Sequence, residues 1–574
     1  MLSLRFSPWV LAISLFGVGC GSSVELPDEN PAAEDTGGAA EIGSEVDPST
    51  DSASTTDTAV TEDTDIADTT PPIDAPPGSC AAQPVAVDPA STLDAATKGP
   101  LTVATKTITV PKLGTLTDVK VKITYPTASD GSPHPGRHAW VMFHHAVHGP
   151  YPGVVYDDYP TIHGHWASHG FYVFSIDGSR VFFPTSSGSN LSWTQQQTVA
   201  GMMSQAIAWF LEQQETSTFD FPCRLDPARI AVAGHSRGGG ATMLVPTTRT
   251  DGATIRAALS LQGTDPGALN PPAGSVIPGF DLPTMWLDAA LDGDVIFPIN
   301  ALQYGRTRNA SSLVTILGSK HTYTFDSNAT PTQGGTPPTI TPVEHKAICV
   351  QYSTAFFRAK VRDAAPNPTD LDRISGPGGT STTVSSGNVL LSWRPANTHK
   401  FVALFDDPAT GPLGKTVDGA TMTASGSMVA TPLETYATSV TSLSSGEKAV
   451  SKVVNSVQLK WDGTGGTFEI PTSASAFSAK KAVVFDLAMS TEGTTSGTTP
   501  LYLDVVDSTG AVASVPIKDY LGAGWFTRPR RFSTAYVPVA KLTGIDTAKV
   551  TAIRVVAKSG ATAGTAMFDA LRLE

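Results

Sequence analysis

A serine set among glycines is the clearest candidate for chemistry. Gly234-His235-Ser236-Arg237-Gly238-Gly239-Gly240 follows the apolar run 229–233 and precedes a helix-like segment, 238–245. A G-x-S-x-G pattern between a strand and a helix needs small residues, because the turn that thrusts out the nucleophile brings neighbouring backbone close to positions 234 and 238. A serine hydroxyl alone attacks poorly and needs an adjacent base to take its proton. The competing reading is a glycine-rich turn with an incidental serine, and the strand–turn–helix setting argues against it.

If the partners follow in the order Ser, Asp, His, the base comes from His321, His345 or His399. His321 lies in Gly318-Ser319-Lys320-His321, directly after the strand-like run 313–317. His345 opens a helix-like segment and His399 lies beyond the strand–helix region, so His321 is the expected base. The acid is sought after the run 284–287, in Asp288-Ala289-Ala290-Leu291-Asp292-Gly293-Asp294-Val295. Asp288 falls at the strand end. Asp292 is expected to orient the imidazole and stabilise its cation, with Asp294 still open; the other of the two would cap a turn. An oxyanion needs backbone N–H donors. Arg237, the residue after the serine, offers one, and Ala146 or Val147 the other, from the loop His144-His145-Ala146-Val147-His148-Gly149 after the run 139–143. Six histidines (His144, His145, His148, His163, His165 and His169) crowd into 26 residues. With no H-E-x-x-H, and with the first three on an irregular loop, they are read as lining and capping groups; no metal and no cofactor is expected.

The elements that must position these residues read as strands alternating with helices. Strand-like runs at 101–110, 118–125, 139–143, 171–176, 229–233, 284–287 and 313–317 interleave with helical spacing at 156–168, 198–213, 238–245 and 344–361. That alternation implies a mostly parallel sheet covered on both faces, with ligands outside the carboxyl ends of its strands. The serine turn, the Asp loop and the Gly-Ser-Lys-His loop, in that order, resemble the α/β-hydrolase superfamily. Lys98-Gly99-Pro100 and Trp166-Ala167-Ser168-His169-Gly170-Phe171 add to a likeness with secreted bacterial esterases, the cutinase-like polyester hydrolases and the platelet-activating-factor acetylhydrolase group. The resemblance covers roughly residues 85–365 and implies ester hydrolysis through an acyl-serine. Its oxyanion loop departs from the usual His-Gly-rich stretch.

Of the 574 residues, 40% are hydrophobic and 16% charged, and the net charge is −14. The acidity belongs to one segment: residues 21–80 hold 15 Asp and Glu and no Lys or Arg, leaving 37 of each sign in 81–574. A body so balanced has no electrostatic footprint for nucleic acid. Arg5, the apolar run 9–18 and Gly19-Cys20-Gly21 read as a lipoprotein-type signal peptide, residues 1–20, with Cys20 lipidated although Gly17 stands where Leu is usual. Segment 21–80 lacks the apolar residues to fold and as a coil reaches roughly 40–45 Å, a tether from a membrane surface. The chain is therefore expected to be an exported envelope lipoprotein, or secreted if Cys20 is not lipidated, with the lipid as its only membrane contact. Of Cys80, Cys223 and Cys349, two are expected to form a disulfide, and spacing does not choose the pair.

Beyond residue 365 the composition turns to Thr, Ser, Val, Gly and Ala, with short strand-like runs (389–393, 453–461, 482–489, 501–506, 511–517, 533–539, 550–557 and 566–573) about ten residues apart. This predicts an all-β sandwich, 366–574, after a catalytic domain, 81–365. Its last part resembles galactose-binding or other carbohydrate-binding jelly rolls, and sugar binding there stands beside a purely supporting role. Two functions follow. One is a monomeric serine esterase acting on small or polymeric esters; the other is an inactive hydrolase-fold surface protein whose sandwich binds a carbohydrate or other surface ligand.

Overall fold

The computed structural model describes residues 80–86, 92–147, 155–182, 192–216, 218–249, 253–269, 272, 281–295, 300, 303–304, 307, 309–327, 337–362, 366–375, 388–395, 401–403, 416, 419–432, 440–442, 448–450, 457–473, 477, 480–489, 501–521 and 533–574. In chain order the first strands are β1 Thr102–Leu113, β2 Leu116–Thr127, β3 His138–His144, β4 Tyr172–Ile176, β5 Leu225–His235, β6 Ile255–Leu261, β7 Thr284–Ala289, β8 Ser311–Ile316 and β9 Val389–Arg394. They form one sheet in the order β1-β2-β4-β3-β5-β6-β7-β8-β9. From β4 through β8 the neighbours run parallel; β1, β2 and β9 pair antiparallel at the two ends.

Helices cover both faces: α1 Pro160–Ser168, α2 Ser179–Phe182, α3 Trp193–Gln213, α4 Arg237–Thr242, α5 Pro342–Phe357 and α6 Pro368–Ser375. Because successive strand residues point to opposite faces, the sheet feeds two cores. Val141, Phe143, Ala233, Leu259, Leu287 and Val314 meet Trp166 of α1 and Tyr352 and Phe356 of α5. Trp140, Met142, Phe174, Ile230 and Trp286 meet Met203, Ile207 and Phe210 of α3. Helix starts are set by side-chain caps: Ser192 accepts from the Gln195 N–H, and Thr341 and Glu344 form a reciprocal capping box that begins α5 before residue 344.

In this sheet two strands depart from the sequence reading. β6, Ile-Arg-Ala-Ala-Leu-Ser-Leu, was not expected; it carries alanines in place of strand-favouring residues and is held by parallel neighbours on both sides. The run 389–393, expected to open the sandwich, lies as β9 against β8. Every residue of β8 is buried, and an unpaired edge there would strand its backbone N–H and C=O groups away from water.

The C-terminal part is antiparallel. One sheet orders Thr423–Gly426, Gly466–Pro471, Val550–Ala557, Leu501–Asp507 and Val512–Pro516; the other orders Val429–Pro432, Val457–Trp461, Gly564–Leu573, Ala482–Met489 and Ser533–Pro538, with Phe401–Ala403 beside Gly564–Leu573. Phe468, Leu503 and Val555 from the first share a core with Leu459, Phe485 and Phe568 from the second. Among the described residues no helix is long and apolar enough to cross a membrane.

Cys80 and Cys223 form a disulfide across 143 residues of sequence, and Cys349 is buried outside it. The bond ties the first described residues to the turn after α3, where the Cys80 N–H also donates to Glu215 at 3.0 Å. Reduction, or Cys223→Ser, should lower stability by about 2–5 kcal/mol, read as a fall in melting temperature on adding reductant. An unchanged melting curve would refute a stabilising cross-link.

Candidate active site

Neighbouring strands β3, β5, β6, β7 and β8 point the same way, so the loops after them share one edge of the sheet. β5 runs straight into Ser236, which caps α4 with φ 56° and ψ −123°, a backbone conformation costly for any residue with a side chain. Its backbone is pinned from both sides: the Ser236 N–H donates to Leu261, and its carbonyl accepts from Gly240 and Thr264 at 3.1 Å. The flanking glycines are sterically required. A Cβ on Gly234 would lie 2.4 Å from the Gly238 backbone, and one on Gly238 would lie 2.3 Å from the His144 carbonyl oxygen.

His321 begins a 3-10 turn, His321–Thr324, in the loop after β8, and Asp292 lies in the loop after β7. The His321 Nδ1 donates to Asp292 Oδ2 at 2.7 Å, while Asp292 Oδ1 accepts the N–H groups of Asp294 and Val295, each at 2.9 Å. Nε2 of His321 is buried with no hydrogen-bond partner among the described residues. The ring centroid lies 4.6 Å from that of His235, the residue before the serine. Asp294, the other candidate acid, approaches the opposite nitrogen: its Oδ2 is 3.8 Å from Nε2 and its side chain is 45% exposed. Burial disfavours the His321 cation, yet the charge and hydrogen bond of Asp292, joined by the charge of Asp294, outweigh it and raise His321 above an ordinary histidine. Burial also pushes Asp292 up against the pull of His321.

Of the two expected oxyanion donors after β3, Ala146 is otherwise engaged: its N–H donates to Tyr159 Oη at 3.0 Å. The next residue, Val147, is half-buried, and Arg237 is the first residue of α4. The histidine-rich segment holds backbone. His145 Nε2 accepts from Gly178, and ring nitrogens of His138, His165 and His169 bond the carbonyls of Gly170, Ala95 and Thr97 at 2.8–2.9 Å. Burial pushes His163 and His169 down to about 3, so both stay neutral. Among the described residues no group of three or more His, Cys, Asp or Glu is arranged to hold a metal ion; His148 and Cys20 lie outside those residues. In the C-terminal part Trp461 is buried at 2% exposure, and its Nε1 donates to the Thr562 carbonyl. Two residues that sequence reasoning passed over, Tyr159 and Gln262, lie among these loops. No motif marks Tyr159, and Gln262 follows the strand whose alanines concealed it.

No protein-family model matches the chain. Partial likeness connects it to two curated proteins. It is 33% identical over 95 residues to Cutinase est1 of Thermobifida alba, covering 17% of this chain and 26% of that protein. It is 31% identical over 126 residues to Cutinase 2 of Thermobifida cellulosilytica, covering 22% of this chain and 39% of that protein. The chain thus spans about a quarter to two-fifths of the length of these relatives, and the likeness is to ester hydrolases in general.

Substituting Gly238→Ala should destabilise the fold by about 1–3 kcal/mol or more, since backbone must move to admit the methyl group. A lowered urea midpoint at unchanged slope would register it; a midpoint equal to that of the parent chain would contradict the tight turn.

Proposed function

We propose that the chain is an exported serine hydrolase that cleaves carboxylic esters, built on an α/β-hydrolase fold over residues 81–365, with β9 added to its sheet, and a β-sandwich in the remainder of 366–574. The observation that carries this reading is the buried His321 imidazole, bonded at Nδ1 to Asp292 and without a hydrogen-bond partner at Nε2 among the described residues, with its ring 4.6 Å from that of His235, which precedes a serine in a strained strand-to-helix turn. The partial likeness to cutinases supports the same reaction class.

In this mechanism Ser236 Oγ attacks the ester carbonyl carbon as its proton passes to His321 Nε2. Asp292 keeps the acceptor lone pair on Nε2 and stabilises the resulting cation. The carbonyl oxygen becomes an oxyanion held by the N–H groups of Arg237 and Val147. Collapse breaks the bond to the alkoxide, which takes the proton from Nε2 and leaves as the alcohol. Water then adds to the acyl-serine by the same proton path, releasing the carboxylic acid and restoring Ser236. No step calls on a cofactor.

Export is supported by the Cys80–Cys223 disulfide, which persists in oxidising compartments and is rare in the cytosol. Residues 1–20 would direct export and Cys20 would carry lipid, with 21–80 as the tether; residues up to 79 lie outside the described set.

A fluorophosphonate probe should label the chain at Ser236, and Ser236→Ala should abolish both labelling and hydrolysis of p-nitrophenyl esters. Labelling that survives Ser236→Ala would remove the nucleophile from this scheme. The pH profile tests the base. Neutral His321 is the active form, so kcat/KM should rise with pH through a pKa raised from the ordinary histidine value. Asp294→Asn removes a negative charge beside Nε2, makes protonation harder and should move that limb to lower pH. No shift, or a shift upward, would exclude this electrostatic role.

A further inference from the structure

Behind the candidate triad runs a buried hydrogen-bond chain that the proposed mechanism does not use. The Ala146 N–H donates to Tyr159 Oη at 3.0 Å, and Tyr159 Oη lies 3.1 Å from His235 Nδ1. On the far side of that ring, His235 Nε2 lies 2.9 Å from Gln262 Oε1, which also accepts the Thr324 hydroxyl at 2.7 Å. The Gln262 amide nitrogen reaches His345 Nε2 at 3.2 Å. Tyr159, His235, Gln262, Thr324 and His345 are all buried.

Donor and acceptor roles follow by elimination. Gln262 Oε1 can only accept, so His235 Nε2 carries the proton. In a neutral ring Nδ1 then accepts, and Tyr159 donates its hydroxyl proton to it. One phenol oxygen thereby serves the loop after β3 and the serine turn after β5, while one amide serves that turn and the 3-10 turn that bears His321.

Tyr159 is itself fixed by a stitch between its own segment and the chain following His321. The Asp326 N–H donates to the Asp158 carbonyl at 3.0 Å, and Thr161 donates its N–H and hydroxyl to the Asp326 carboxylate at 2.7 and 2.6 Å. The Ser327 N–H donates to Asp158 Oδ1 at 2.6 Å, and Lys346 Nζ donates to the Phe325 carbonyl at 2.9 Å. The Tyr159 ring packs edge-on to Phe143 at 4.7 Å.

We propose that Tyr159 and Gln262 are positioning residues for ester hydrolysis, holding the oxyanion loop, the serine turn and the His321 turn in one register through the ring of His235. The proposal rests on the serine-hydrolase reading and adds to it a requirement remote from the substrate. Misplacement of reacting groups by about 1 Å costs on the order of 100-fold in rate, so loss of register falls on kcat. It leaves KM, set by pocket contacts, largely in place.

The test uses Tyr159→Phe and Gln262→Leu in the full chain, with active sites counted by fluorophosphonate and kcat and KM measured on a p-nitrophenyl ester. Each variant should lower kcat per labelled site by about 10–100-fold with KM within about twofold. The double variant should lose less than the product of the two, because both break one chain. If kcat per labelled site stays within about twofold of the parent in both variants, whatever their melting temperatures, the residues only support the fold and the proposal fails. Should either variant fail to fold, Thr324→Val, which removes the second donor to Gln262 Oε1, carries the same criterion. A parent chain that the probe does not label overturns the serine-hydrolase reading and this proposal with it; a labelled parent with unaffected variants overturns this proposal alone.

Discussion

An imidazole with both nitrogens out of water is costly to charge, and the contact that makes a charged His321 bearable is its 2.7 Å hydrogen bond to Asp292. Neither partner is stable alone in that setting: removing one side of a buried pair leaves an uncompensated group and costs about 3–5 kcal/mol. The remaining architecture can be understood as what it takes to hold this pair still. Asp292 is locked by two backbone donors from its own loop, so its other oxygen is aimed at His321 Nδ1. His321 starts a 3-10 turn whose next residues are bonded to a different part of the chain. Preorganisation of this kind moves the ordering cost from the reaction to folding.

Parallel strands make that economy possible. Each contributes its loop to the same edge, so groups far apart in sequence converge without long excursions. The convergence is so close that side chains are excluded at two positions around the serine, where carbonyl groups from the β3 loop and the turn itself occupy the space. Strain at Ser236 is tolerated because three backbone hydrogen bonds over-determine its conformation.

Much of this was legible in the sequence, for reasons that can be named. The glycines at 234 and 238 declare the turn because nothing larger fits. Ser236, Asp292 and His321 each follow a strand-like run, which puts their loops on one edge of a parallel sheet, and Asp292 and Asp294 approach different nitrogens of the His321 ring. Other features had no local signal. β6 is alanine-rich and exists because its neighbours pair with it on both sides. β9 reads like any strand of the C-terminal part, and only the edge of β8 decides where it goes. The engagement of Ala146 depends on a tyrosine thirteen residues away whose hydroxyl direction no spacing rule supplies. The choice of Cys223 over Cys349 as the partner of Cys80 is likewise a matter of three-dimensional proximity.

The antiparallel part meets the larger sheet through a buried seam beside Ser311 and Ser312, at the amino end of β8. Arg394, at the end of β9, pairs with Asp569 at 2.6 Å and lies 3.6 Å from Asp486, both on strands of the antiparallel sheet. Arg572 stacks on Trp393 with its guanidinium 4.3 Å from the ring centroid and donates to the Trp393 carbonyl at 2.9 Å. Tyr304 donates to Asp486 at 3.1 Å from the segment that follows the Asp292 loop. Close by, Gln303 bonds both Asn300 and the Thr264 carbonyl, and Asn300 donates to Asp288 at the end of β7. Two sets of hydrogen bonds, joined by the backbone between Gln303 and Tyr304, therefore connect the antiparallel sheet to Asp288 at the end of β7. Charges removed from water this completely are not a source of net stability. They demand one arrangement, since any displacement of the two parts strands a guanidinium or a carboxylate. By that argument the seam fixes the C-terminal sheets against β9 and against the segment that carries Tyr304.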